Sequence, residues 1–159
     1  MTIALLILHG LLAVSLLGAI THQLVSLLRG RQSAPAERQF PKASFVGRYV
    51  AVGQSGFTIA VVVLYFLTFV LGGIIYPAYR TDVRIPFEEM SLIWAVGLFE
   101  VKEHWGGIGV GVLPLYAYVW RAQNSTSHGR DRVMITALLA LIVWVDFIVG
   151  HVLNNIRGL

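Results

Sequence analysis

The amino-acid sequence predicts an all-α integral membrane protein whose four transmembrane helices form an up-down bundle. Apolar residues make up 57% of the 159 residues and charged residues only 13%, whereas a soluble domain carries roughly 25% charge. Mean hydropathy is +0.74. Four long stretches of the chain are almost free of charge. The alternating pattern of a membrane barrel strand is absent, so we expect helices to be the spanning elements.

The four spans belong to a single domain, residues 1–159. A helix needs about 20 apolar residues to cross a hydrocarbon core of roughly 30 Å, and each stretch is long enough. The predicted spans are about 3–28, 49–75, 88–120 and 133–155.

The first span differs from a cleaved signal peptide, because its amino end carries no basic residue and its apolar run is too long. The second span is apolar on all sides around Val61 to Leu67, which is typical of a helix in lipid. The segment 76–86, with two prolines and two tyrosines, predicts an ordered loop at the lipid headgroups. From Pro86 to Trp120 no helix breaker precedes Gly106, so we expect the third helix to extend beyond the bilayer on the outer side.

The distribution of Lys and Arg predicts the orientation. The loops 29–48 and 121–132 hold eight basic residues, whereas the second loop and the carboxyl tail hold three, leaving out Lys102. The positive-inside rule then places both loops in the cytoplasm and both termini outside. We expect a bacterial inner membrane. We attribute the net charge of +4 to the basic loops that set the orientation in the membrane, so we expect no nucleic-acid partner.

Cysteine is absent, which excludes disulfides, thiolate metal sites, iron–sulfur clusters and cysteine nucleophiles. The sequence shows no nucleophile–base–acid set either, so hydrolytic catalysis has no support, and whether the protein is an enzyme stays open.

The third span carries an ionisable cluster in its middle. Glu100, Glu103 and His104 fall within an arc of about 100° on one helix face, and Lys102 points roughly the opposite way. Ionisable residues at membrane depth usually face the bundle interior, which favours a functional site on the Glu–His face. The alternative is an interfacial helix end with a Glu–Lys pair among headgroups.

Glycines follow this cluster. Gly107 and Gly111 form a small-xxx-small pattern that allows another helix to approach closely, so we expect contact with other membrane subunits or a second copy of the chain. Room for a flat cofactor beside Gly106 and Gly107 is the alternative.

Three histidines arrive at nearly the same depth on three helices. Counted from the nearest basic loop at about 1.5 Å per residue, His9 lies about 30 Å up, His151 about 28 Å and His104 about 26 Å. Each has a glycine beside it or two positions away, namely Gly10, Gly106 and Gly150. His22 lies deeper, with no other helical histidine at its level, and is interpreted as a hydrogen-bonding or interfacial residue.

The first functional hypothesis is a b-type haem near the outer face in a redox subunit that passes electrons. Neutral imidazoles of His9 and His104 would be the ligands, since helices one and three are diagonal in an up-down bundle, with His151 as the alternate. Gly10, Gly106 and Gly107 would admit the porphyrin. This arrangement resembles four-helix membrane b-type cytochromes in architecture only.

Two other hypotheses stay open. A non-haem iron, copper or zinc site would combine His9, His104 and His151 with Glu100 or Glu103. Alternatively, the protein binds no cofactor and is an accessory or structural subunit of a larger membrane complex.

Asp146, the one carboxylate of the fourth span, is costly in lipid unless paired or protonated. We expect it to bond to the second helix near Gln54, Ser55 or Thr58, or to transfer protons.

Overall fold

The computed structural model describes residues 2–30, 56–121 and 129–157, and these are helical apart from a turn at 90–92. Most of the expected first and third loops lie outside the described residues. Residues 49–55, the beginning of the second predicted span, lie entirely outside them. The helices are α1 (Thr2–Gly30), α2 (Gly56–Tyr79), α3 (Ile85–Glu89), α4 (Ile93–Arg121) and α5 (Gly129–Arg157).

The predicted all-helical fold with long apolar helices is confirmed. Within the described residues, three segments are long and apolar enough to cross a membrane: Ile3–Leu28, Gly56–Glu89 and Gly129–Ile156. Large apolar side chains such as Ile7, Phe66 and Ile148 are exposed on the outside of the bundle, which is compatible with contact to lipid. Membrane crossing by the more polar α4 stays a prediction.

The four long helices form a ring in which α1 packs against α2 and α5, and α4 packs against α2 and α5. Helices α1 and α4 therefore lie across the bundle from each other, as predicted for the first and third spans. Their shared core is apolar and aromatic, with Ile20, Tyr65, Tyr116 and Leu139 almost completely buried. Van der Waals contacts between interdigitating side chains hold such a core together, since the helix exteriors are as apolar as the core.

Polar side chains connect the helices at one end of this core. Gln23 is fully buried, its Nε2 lies 3.4 Å from Thr58 Oγ1, and Tyr116 donates a hydrogen bond to Gln23 Oε1. Trp120 Nε1 donates to Thr136 Oγ1 over 3.1 Å. Interhelical hydrogen bonds of this kind contribute about 0.6 kcal/mol each on average in membrane proteins. They fix the rotation of α1, α2, α4 and α5 relative to one another.

The predicted loop at 76–86 is wrong, because the chain stays helical there. Helix α2 runs through Pro77, and a π-helical turn, Arg80–Arg84, leads directly into α3. Pro77 lacks a backbone N–H, so α2 loses the hydrogen bond to the carbonyl of residue 73, and the π-helical turn begins three residues after it. Val83 and Phe87 are buried in a second apolar cluster, which holds this segment against the bundle.

The prediction of one unbroken third helix from residue 88 is also wrong. The turn at 90–92 separates α3 from α4, and Ser91 adopts a left-handed backbone with φ of 59°. The Leu92 N–H donates to the Phe87 carbonyl over 2.8 Å, and the Ala95 N–H donates to the Leu92 carbonyl over 2.9 Å. The chain thus changes direction before α4 begins, instead of projecting outward as a single rod.

Candidate functional site

A cavity lies between the four long helices at the end opposite the Gln23 network. It has two lobes of about 260 Å³ each. Eight residues line both lobes: His9, Ala13, Gly72, Tyr76, Phe99, Lys102, Asp146 and Phe147. Mostly apolar and aromatic walls with a few convergent polar groups are typical of small-molecule sites.

His9 enters the cavity wall from α1. A Cβ added at Gly72 of α2 would lie 3.3 Å from His9 Cε1, so the absence of a side chain there makes room for the ring. Among the described residues, the buried Nδ1 of the ring has no hydrogen-bond partner. In the neutral tautomer that carries its proton on Nε2, Nδ1 is a hydrogen-bond acceptor.

Asp146 reaches the cavity from α5. Its Oδ2 would lie 3.4 Å from a Cβ at Gly106 of α4, so glycine again makes the close approach possible. Its Oδ1 is buried without a hydrogen-bond partner. A buried carboxylate oxygen in an apolar bundle is costly unless another group compensates it.

Lys102 of α4 supplies that compensation in part. Its charge interacts with Asp146 and with Glu103, and its ammonium lies 5.6 Å from the centroid of the Phe99 ring. Its Cε would lie 3.3 Å from a Cβ at Gly150 of α5. Each of the three polar side chains thus lies against a glycine of a neighbouring helix, and all three converge on one cavity.

Tyr65 fixes the distance between α2 and α4 beside the cavity. Its hydroxyl donates to the carbonyl oxygen of Gly106 over 3.1 Å, and its ring end occupies the space where a side chain at position 109 would be. Tyr65 is almost completely buried. The glycines of α4 at 106 and 109 therefore accept side chains of other helices, which defines the inward face of α4.

An aromatic and ionic rim lies beside the second lobe. Tyr79 stacks on Phe99 with ring centroids 3.4 Å apart. Arg84 Nε pairs with Glu88 Oε1 at 2.8 Å, and its Nη2 lies 3.7 Å from Glu100 Oε1. These contacts hold the π-helical turn and α3 against the start of α4.

The face of α4 that turns into the bundle is opposite to the predicted one. Lys102 faces the cavity, whereas Glu100 and His104 are exposed, and His104 Nδ1 lies 2.7 Å from the backbone oxygen of Glu100. The reason is packing: the face with Gly106 and Gly109 admits Tyr65 and Asp146, and Lys102 lies on that face. Of the two acidic residues expected in the metal site, Glu100 and Glu103, only Glu103 lines the cavity, in the first lobe.

The other predicted site residues divide between the cavity and the exterior. Gly106 lines the first lobe, and Gly10 and His151 line the second. His151 Nε2 lies 3.1 Å from Asn155 Nδ2, and its ring stacks on Phe147. Gly107 is exposed and has open space around it, as has Gly111, so close approach of another helix at these glycines stays a prediction.

The expected metal cluster is not formed. Across residues 2–30, 56–121 and 129–157, no group of three or more His, Asp or Glu side chains is arranged to hold a metal ion. His9, His104 and His151 do not line one cavity, because His104 points away from it.

Asp146 does not bond to Thr58, which pairs with Gln23 at the other end of the bundle. The other two expected partners, Gln54 and Ser55, lie outside the described residues. His22 packs against Phe57, with ring centroids 4.6 Å apart, also away from the cavity lining.

Sequence reasoning missed Lys102 and Tyr65 as site residues. A lysine in the middle of a long helix is itself a signal, because at membrane depth such a charge usually faces a partner within the bundle. Tyr65 gave no such signal, since tyrosine is common in apolar spans.

No family model matches this chain, and neither does a curated protein or a solved structure.

Proposed function

We propose that this protein is a membrane-embedded binding protein for a small amphipathic molecule. The polar head of the ligand lies among His9, Lys102 and Asp146, and its apolar part lies against the aromatic walls and the bilayer lipid. One observation carries this proposal: polar side chains from α1, α4 and α5 converge on a cavity whose remaining walls are mainly apolar.

Two buried polar atoms favour a ligand in this cavity. Among the described residues, His9 Nδ1 and Asp146 Oδ1 have no hydrogen-bond partner. Leaving such a group unsatisfied costs about 1–3 kcal/mol. A ligand that donates hydrogen bonds to both atoms recovers this free energy, and it recovers it only when bound at this place. The three polar side chains His9, Lys102 and Asp146 form the polar wall of the cavity. This wall therefore favours a ligand whose head carries hydrogen-bond donors over a plain hydrocarbon.

The size of the cavity limits the ligand. Each lobe measures about 260 Å³, slightly below the roughly 300–1,000 Å³ of sites for drug-sized molecules. One substituted ring or a comparable head group fits a lobe, and a longer apolar tail would extend along the helices into the lipid.

The positions of the basic loops 29–48 and 121–132 indicate which half of the bilayer contains the cavity. Both loops lie at the helix ends far from His9 and Asp146 in the sequence. With these loops in the cytoplasm, the cavity opens in the extracytoplasmic half of the bilayer, in a bacterial inner membrane.

Binding of 4-decylphenol to the protein in lipid nanodiscs tests the proposal. We expect saturable binding above the partition into empty nanodiscs. Gly106→Leu fills the first lobe beside Asp146 and should weaken binding at least tenfold. Gly107→Leu is the matched control, because that position is exposed and lines neither lobe. Equal binding by both variants, each eluting as a single folded species, would contradict the proposal.

A redox subunit with a b-type haem is the second candidate, and one observation favours it. His9 and His151, on the neighbouring helices α1 and α5, both line the second lobe. These two imidazoles would hold a haem iron through which electrons pass, with His151 in place of His104, and the porphyrin, larger than one lobe, would occupy both. A Soret band in the purified protein that His151→Ala removes and His104→Ala retains would support this candidate. If neither haem nor amphipathic ligand binds, a cofactor-free accessory subunit is the remaining hypothesis.

A further inference from the structure

We infer that the ligand of this cavity is a quinol, the reduced 1,4-dihydroxy form of a lipid-soluble quinone. Its two hydroxyl groups donate hydrogen bonds to His9 and Asp146. This inference rests on the proposed function, because it names the class of molecule that the cavity binds.

Both unpartnered atoms can accept a hydrogen bond. His9 Nδ1 carries a lone pair in the tautomer with the proton on Nε2, and Asp146 Oδ1 is a carboxylate oxygen. The two residues stand on α1 and α5, which are neighbours in the ring of helices. A flat ring with hydroxyl groups at opposite ends brings two separate donors, one for the atom on each helix.

Other head groups match the cavity less well. A carboxylate or a phosphate brings acceptors and negative charge to a wall that already holds Asp146 and Glu103. An amine brings positive charge beside Lys102, which interacts with Asp146 already. Since Lys102 and Asp146 offset each other, a neutral head is favoured over either charged class.

The walls suit an aromatic ring with an apolar tail. Tyr76, Phe99 and Phe147 line both lobes and offer faces and edges for ring packing. Leu6 and Ile75 extend the lining of the second lobe along α1 and α2. An alkyl or isoprenoid tail leaving the ring between these helices would meet apolar side chains and then lipid.

The reduced and the oxidised forms should therefore differ in affinity. A quinone carries two carbonyl acceptors, which leave His9 Nδ1 and Asp146 Oδ1 unsatisfied. We expect the quinol to bind at least tenfold more tightly, which corresponds to about 1.4 kcal/mol. For a two-electron couple, a tenfold preference for the reduced form raises the midpoint potential of the bound pair by about 30 mV.

Anaerobic titration calorimetry on nanodisc-embedded protein tests the inference with three probes: decyl-1,4-benzoquinol, decyl-1,4-benzoquinone and the dimethyl ether of the quinol. The ether keeps the shape and lacks the donors, so it should bind as weakly as the quinone. Asp146→Asn adds an amide donor to the wall and should reduce the preference for quinol several-fold. Asp131→Asn, at an exposed position near the opposite end of α5, should leave it unchanged.

The outcomes separate the two proposals. Equal affinity for the three probes, or tighter binding of the quinone, overturns the quinol inference and leaves cavity binding in place. Absence of binding by all three and by 4-decylphenol overturns both. Should Asp146→Asn fail to fold, His9→Gln provides the second variant, and the comparison of probes on the unmodified protein decides the inference by itself.

Discussion

Replacing Gly109 with alanine tests the packing that positions α4. A Cβ at this position would overlap the hydroxyl and ring end of Tyr65, which is almost completely buried and bonded to the Gly106 carbonyl. Tyr65 would have to leave the space that its ring end now occupies. The substitution therefore combines overpacking with the loss of an interhelical hydrogen bond.

The expected cost follows from these two effects. Overpacking of a well-packed core costs about 1–3 kcal/mol, and the interhelical hydrogen bond contributes about 0.6 kcal/mol. Gly107→Ala is the matched control, because position 107 is exposed and a Cβ there meets nothing within 4 Å. Any gain in helix propensity is shared by both variants. Gly109→Ala should therefore be less stable than Gly107→Ala by roughly 1.5–3.5 kcal/mol.

Reversible unfolding of the protein in mixed micelles with increasing SDS, followed by circular dichroism, measures the difference. The double variant Gly109→Ala with Tyr65→Leu should be more stable than the sum of the single effects predicts, since the smaller side chain removes the overlap. Two variants of equal stability, within about 0.5 kcal/mol, would refute the inward orientation of the Gly109 face of α4.

Two further substitutions test contacts outside the cavity. Thr136→Val leaves the buried Trp120 Nε1 without its acceptor and should destabilise the protein by about 1–2 kcal/mol in the same unfolding assay; an unchanged midpoint would contradict that bond. Glu100→Gln weakens an exposed contact to Arg84 and should change the free energy of unfolding by less than about 1 kcal/mol; a loss above about 2 kcal/mol would show that the rim supports the fold more than its exposure implies.

Hydropathy was sufficient to predict the class of fold and the number of long helices, because the length of an apolar run is a local property of the sequence. His9 and Asp146 were recognisable as candidates for the same reason, since a polar residue at membrane depth stands out. The segment 76–86 was misjudged because prolines usually interrupt helices. Here a π-helical turn after Pro77 and the burial of Phe87 keep the chain helical.

The orientation of α4 could not be predicted from helix geometry. Angular spacing correctly placed Lys102 away from Glu100 and His104, but it does not say which of two opposite faces turns inward. That choice depends on pairs formed between helices, such as Tyr65 with Gly109 and Asp146 with Gly106. Each pair joins residues at least 40 positions apart in the chain, and a single sequence does not display such complementarity.

The most direct test of ligand binding at the polar wall is the nitrogen NMR signal of the His9 imidazole in bilayers. Histidine labelled with ¹⁵N in the imidazole ring gives the spectrum, and subtraction of the His9→Gln spectrum isolates this ring. Saturating decyl-1,4-benzoquinol should shift the acceptor Nδ1 resonance towards that of a hydrogen-bonded nitrogen, and the dimethyl ether should not. An Nδ1 signal that stays the same at saturating quinol would contradict a ligand head bound at this wall.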